Sequence, residues 1–180
     1  METAGTIEHR ELPFVVAILA DLQIHRALPA NGDGLAARAI IDIDRHNFDV
    51  VRRASSRQRE ATWRGLRHLV FNTDTGPMLR LRLLDVSMEE LQQDLQQGLQ
   101  QNSQQNQRHV EQGWQNVLLR KLGEDGVPCS LLLSDHEVTG SGNDMAFLQH
   151  IATVAAALQA PFIAGASPDL LGLDSFAEQE

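Results

Sequence analysis

The chain has 180 residues, 42% of them apolar and 4% aromatic, with a formal net charge of −9. That length accommodates one α/β domain, or one domain with a small appendage. No apolar run reaches the roughly 18–20 residues that span a bilayer, the polar start Met1–Leu12 is no signal peptide, and one cysteine excludes a disulfide framework or a multi-cysteine metal site. A cytoplasmic location is expected.

The first strand is expected over Leu12–Ala20, rich in Val and Ile. A loop containing Asn31-Gly32-Asp33-Gly34 accepts the positive φ of tight turns, and Ala39–Ile43 is the second strand. The two read as an N-terminal β-hairpin, or as strands joined by a loose connection. Ser55-x-x-Gln58 has the form of a capping box opening a helix to about Val70. Met78–Leu84 alternates Leu79, Leu81 and Leu83 inward with Arg80 and Arg82 outward, the pattern of a half-buried strand.

Ser87-x-x-Glu90 is a clearer capping box, followed by Leu91, Leu95 and Leu99 at four-residue spacing. The glutamine-rich tract Gln92–Gln107 then reads as a solvated helix fraying toward Asn102. A further helix over Gln107–Leu122 aligns Val110, Trp114, Val117 and Leu118. Cys129–Ser134 is a short apolar strand, and a helix from Asn143 or Asp144 carries Phe147, Leu148, Ile151, Val154 and Leu158 up to Pro161. Phe162–Ala166 is a strand, and Ser167-Pro168 opens a last helical turn. Strand, helix and strand at this spacing make a βαβ unit with parallel strands. The fold class is α/β: an N-terminal β-hairpin, a mixed sheet with helices, and a C-terminal βαβ unit.

Charge divides the chain. Seven of the fifteen basic residues fall between Arg45 and Arg67, whereas beyond Arg82 only Arg108, Arg120 and Lys121 face fourteen acidic residues. Guanidinium forks pair bidentately with carboxylates, so Arg45, Arg52, Arg53, Arg57, Arg59 and Arg64 are candidate partner-binding residues. The same cluster also reads as a solvated helix face. Nucleic acid is disfavoured, because the acidic remainder repels phosphates and no aromatic residues are interleaved for stacking.

Candidates for chemistry are few. Asp135-His136-Glu137 follows a strand, but neighbours on an extended chain point to opposite faces and do not converge on one ion; a polar loop is the plainer reading. Cys129 reads as a small buried hydrophobe rather than a nucleophile. Gly140-Ser141-Gly142 has neither the nucleophile-elbow nor the phosphate-loop pattern and reads as the lead into a capped helix. His68 and His150 are surface or satisfied residues, and Trp63 and Trp114 pack. The expectation is no enzyme, no cofactor, no metal and no membrane insertion.

A family resemblance adds to this. Ala61-Thr62-Trp63-Arg64-Gly65-Leu66-Arg67-His68-Leu69-Val70, Leu81-Arg82-Leu83-Leu84-Asp85-Val86-Ser87, Ala160-Pro161-Phe162-Ile163-Ala164 and Gly172-Leu173-Asp174-Ser175-Phe176 resemble the large subunit of the type VI secretion contractile sheath (TssC or VipB class). That resemblance covers about Glu60–Phe176. Leu12-Pro13-Phe14 and Ile41-Asp42-Ile43-Asp44-Arg45-His46-Asn47-Phe48-Asp49-Val50-Val51 resemble the start of the small subunit (TssB or VipA class).

The resemblance implies a sheath-subunit-like fold, with residues 1–54 the small-subunit-like segment and 55–180 a truncated large-subunit-like domain. Departures accompany it: Asp125-Gly126-Val127-Pro128-Cys129-Ser130 stands where large subunits have Gly-Gly-Glu-Pro-Tyr-Gly, and Ser134-Asp135-His136-Glu137-Val138 stands where they have Gly-Asp-Tyr-Glu-Phe. No counterpart is expected for the helix recognised by the recycling ATPase, nor for the second half of a large subunit. The implied role is non-enzymatic docking on large or small sheath subunits, or on the chain itself, as a structural, capping or inhibiting component. A non-functional remnant and an unrelated α/β hydrolase or ligand-binding domain are the alternatives.

Overall fold

The computed structural model describes residues 11–24, 35, 38–55, 60–104, 117–123 and 127–178, the side chains of 97–104 and 178 excepted. Among the described residues, five strands form one sheet: β1 (Phe14–Ala20), β2 (Ile40–Asp42), β3 (Leu79–Asp85), β4 (Leu131–Val138) and β5 (Phe162–Ala166), in the order β2-β3-β1-β4-β5. Five α-helices accompany them among the described residues: α1 (Phe48–Arg53), α2 (Glu60–Asn72), α3 (Met88–Gln104), α4 (Val117–Gly123) and α5 (Gly142–Leu158). The α/β fold class and its mixed sheet are as the sequence indicates.

The strand β1 lies at the centre. It pairs parallel with β3 (Val16 beside Leu81) and parallel with β4 (Val16 beside Leu131). Alternation sends Ala17 and Leu19 into one core, beneath α3, α4 and α5, and Val16, Ile18 and Ala20 into the other, beneath α1 and α2. A strand covered on both faces reads as a continuous apolar run, which is what Phe14–Ala20 is.

The expected N-terminal hairpin does not form. β2 pairs antiparallel with β3, Ile41 beside Leu83, and β3 stands between it and β1. Six of the seven β1 residues are buried, so this strand requires neighbours on both sides; most of the connection to β2 lies outside the described residues. Arg82 is likewise buried rather than outward; its Nε donates to Asp42 on β2 at 3.3 Å.

The capping box at the start of α3 is formed as expected. The amide of Ser87 donates to Glu90 Oε2 at 3.0 Å, and that of Glu90 to Ser87 Oγ at 3.2 Å. Helix α3 continues through the glutamine-rich tract to Gln104, with Leu91 and Leu95 buried. Ser55 is used differently, as a bridge between segments. Its hydroxyl donates to Leu22 O at 2.6 Å and accepts from Trp63 Nε1 at 2.9 Å. Gln58, Val110 and Trp114 lie outside the described residues.

The C-terminal βαβ unit is present, with β4 and β5 parallel. Ser141 caps α5 by accepting from the Asp144 amide, and Gln159 ends the helix in the left-handed region at φ 54°. A short 3-10 turn, Pro168–Leu171, follows β5.

Candidate docking surface

Helices α1 and α2 form a small aromatic-centred layer on one face of the sheet. Phe48 of α1, 1% exposed, meets the Trp63 ring edge-on at 5.6 Å and the Phe71 ring at 5.7 Å. Trp63, Leu66 and Val70 turn one side of α2 toward Val16, Ile18 and Leu83. The 3.6-residue period therefore leaves Arg64, Arg67 and His68 exposed on the rest of the helix.

The predicted arginines occupy this layer where they are described. Arg45 donates to Thr73 O at 3.3 Å. Arg52 and Arg64 approach the same carboxylate, Glu60, at 3.7 and 3.6 Å, and all three side chains are largely solvated, so these pairs contribute little to stability. Arg53 is exposed. Arg57 and Arg59 lie outside the described residues. Two apolar companions escape the sequence pattern: Val50, 68% exposed, and Phe71, 38% exposed. Arg67, absent from the candidate set, places its guanidinium 4.7 Å above the Phe71 ring centre. Its i,i+4 spacing from Phe71 is the signal that points to this contact.

The other ionisable groups have structural partners. Asp135, His136 and Glu137 belong to β4 rather than to a loop, because a register shift between Ser134 and Glu137 lets the strand run on to Val138. Asp135 accepts from the Thr62 hydroxyl of α2, whereas the His136 ring lies 2.8 Å from Ser134 Oγ and 3.1 Å from Val86 O. A cleft of about 230 Å³ lies between α2, β1 and β4, lined mainly by Ile18, Leu66, Leu69 and Leu133, with Asp135 among its lining residues. Among the described residues, no three His, Cys, Asp or Glu side chains gather as metal ligands.

The displaced carboxylates hold backbone instead. Burial pushes the Asp85 carboxyl up, against the amides of Leu22 and Gln23, which it accepts at 2.8 and 3.0 Å. Burial also raises Asp94, which accepts from the Val117 and Leu118 amides at the start of α4. The Cys129 thiol is 3% exposed and raised by burial, as befits a core side chain.

What the described surface offers is a row of arginines over a closed core, a feature suited to proteins that act through contacts. The chain belongs to the family of type VI secretion sheath proteins: residues 40–180 match the VipB family model, described as EvpB/VC_A0108, tail sheath N-terminal domain. Residues 1–61 match a second family model, described as type VI secretion system, VipA, VC_A0107 or Hcp2. Among curated proteins, the chain is 32% identical over 136 residues to the type VI secretion system sheath protein TssC1 of Pseudomonas aeruginosa strain PAO1. That alignment covers 72% of this chain and 25% of the relative, so the chain matches about a quarter of that protein's length. No helix among the described residues is long and apolar enough to cross a membrane.

Proposed function

We propose that this protein docks on the contractile sheath subunits of a type VI secretion system, in the cytoplasm, as a non-enzymatic structural or assembly-regulating component. The observation that carries the reading is the position of β1. This strand lies within the VipA-like match, yet it is the central strand of a sheet whose β3, β4 and β5 lie within the VipB-like match alone. The chain thus brings strands from both resemblances into one sheet. A body that combines both is suited to binding assembled or assembling subunits from outside, as a cap or inhibitor.

The docking surface comprises Arg45, Arg52, Arg53 and Arg64 beside and on α1 and α2, together with Arg57 and Arg59 of the intervening sequence, and its chemistry fits a carboxylate-rich partner. Co-purification with a matched pair of large and small sheath subunits, followed by negative-stain imaging of tubules, tests the proposal. Binding that shortens or abolishes tubules supports a cap or inhibitor, and incorporation along their length supports a building block. Absence of binding would sink the docking role. The triple reversal Arg52→Glu, Arg53→Glu and Arg57→Glu is expected to weaken binding with the fold intact; unchanged binding would remove the arginines from the contact.

A further inference from the structure

The strand order reverses at β1. From β1 the chain reaches β3 on one side by way of β2, α1 and α2, then crosses to β4 on the other side by way of α3 and α4. Helices α1 and α2 pack on one face of the sheet, and α3 and α4 on the opposite face. In open α/β sheets a reversal of this kind leaves a crevice at the carboxyl ends of the two strands, and ligands bind there. The cleft of about 230 Å³ between α2, β1 and β4 stands at this place. Ala20, the last residue of β1, lines it, and Leu19 pairs with Ser134, so Leu133 to Asp135 reach the same level on β4.

The lining has two parts. Ile18, Ala20, Leu66, Leu69 and Leu133 supply apolar surface, whereas Thr62 and Asp135 add a hydrogen-bonded polar pair. Asp135 is exposed, and it is the one charged side chain among the described residues that line the cleft. The Thr62 hydroxyl donates to its Oδ2, which fixes the carboxylate against α2 and leaves Oδ1 for another donor. Among the described residues, no lysine, arginine or histidine forms an ion pair with it. The exposed Glu137, two residues further along β4, adds to the negative field. On the α2 side Gly65 leaves room, since a Cβ built there meets no atom within 4 Å.

We propose that this cleft binds a small primary amine with an apolar body, the body against Ile18, Leu66, Leu69 and Leu133 and the ammonium on Asp135. The size is right for one ring, because an apolar protein cavity of about 150 Å³ already holds benzene. Charge selects the ligand. An anion meets Asp135 as a like charge, and a neutral guest of the same shape gives the carboxylate no charged donor in exchange for its water. The unbranched stem of a lysine side chain fills less of this space than a ring does, so the occupant is a free amine rather than a partner's lysine. This site is separate from the arginine surface and stands independently of any docking on sheath subunits.

Amide NMR titration of the full chain with benzylamine, benzyl alcohol and benzoate tests the assignment. Benzylamine is expected to shift the Gly65, Leu133, Ser134 and Asp135 amides and to bind about tenfold more tightly than benzyl alcohol, the scale of one charge-assisted hydrogen bond at a solvated carboxylate. Asp135→Asn keeps an acceptor for Thr62 and removes the charge, so benzylamine should fall to the level of the alcohol. Gly65→Leu should fill the cleft and abolish both titrations, with an unchanged circular dichroism spectrum in either variant. Equal binding of benzylamine and benzyl alcohol would overturn the proposal, as would benzylamine binding that survives Asp135→Asn or shifts confined to other parts of the chain. Tighter binding of Nα-acetyl-lysine methylamide than of benzylamine would also overturn it, and would give the cleft to a partner's side chain.

Discussion

Asp85 ties the small-subunit-like strand to the large-subunit-like sheet, and its removal tests whether the two matched segments fold as one. Its carboxylate, 4% exposed at the end of β3, accepts the Leu22 and Gln23 amides just beyond β1. Gln23 sits at φ 57°, a left-handed conformation that a non-glycine residue adopts only when held there. Asp85→Ala takes this acceptor from the Leu22 and Gln23 amides, and Leu22 is fully buried. At about 1–3 kcal/mol for each buried orphan, and with the half-buried Gln23 amide recovering some water, the loss comes to about 2–4 kcal/mol. For a chain of this size that is roughly 4–16 °C in Tm. Asp85→Asn keeps the accepting oxygen and should stay close to the native protein.

The pH dependence separates these variants further. Burial raises the folded carboxyl above its ordinary value of 3.8, so the folded state holds its proton more tightly than the unfolded chain does. The Asp85 contribution is therefore most favourable below 3.8 and is lost as pH rises through the raised folded value. Asp85→Asn cannot titrate, so its stability relative to the native protein should improve across that window. Urea denaturation followed by circular dichroism over a pH series measures this. An Asn variant as damaged as the Ala variant would mean that the negative charge itself holds the turn, and a harmless Ala variant would refute the tie.

Three further outcomes are expected. Phe48→Ala removes a buried ring from between Trp63 and Phe71 and should cost about 3–5 kcal/mol in denaturant unfolding. Ser87→Ala breaks the capping box of α3 and should cost about 0.5–2 kcal/mol in the same assay. Gly65→Ala, where an added Cβ meets nothing within 4 Å, should stabilise α2 by about 0.5–1 kcal/mol, read as a rise in Tm.

Sequence is most informative where one local rule decides the outcome. The Ser87–Glu90 box, the buried side of α5 and the uninterrupted strand Phe162–Ala166 follow from capping and periodicity alone. It is least informative where pairing is set at a distance. Adjacency in the chain favours a hairpin of β1 with β2, although the unbroken apolar run of β1 already carries the mark of a central strand. The length of β4 is hidden because Asp135-His136-Glu137 is polar and a register shift, invisible in composition, carries the strand through it. At the candidate surface, clustering identifies the arginines but not their aromatic companion: Phe71 is half turned to solvent only because Phe48 and Trp63 fill the space beneath.

The central place of β1 has a consequence for synthesis on the ribosome. Its neighbours are Leu79–Asp85 and Leu131–Val138, so this early strand waits for both of them to be made. At about 5–20 residues per second, the 118 residues from Asp21 to Val138 take roughly 6–24 s to translate. Until Asp85 is made, Val-Val-Ala-Ile-Leu-Ala has neither of its strand neighbours, and one edge of it stays open until β4 follows. Such a nascent segment is a natural substrate for ribosome-associated chaperones, and the yield of soluble protein should respond to their supply and to translation speed more than to the stability of the finished fold.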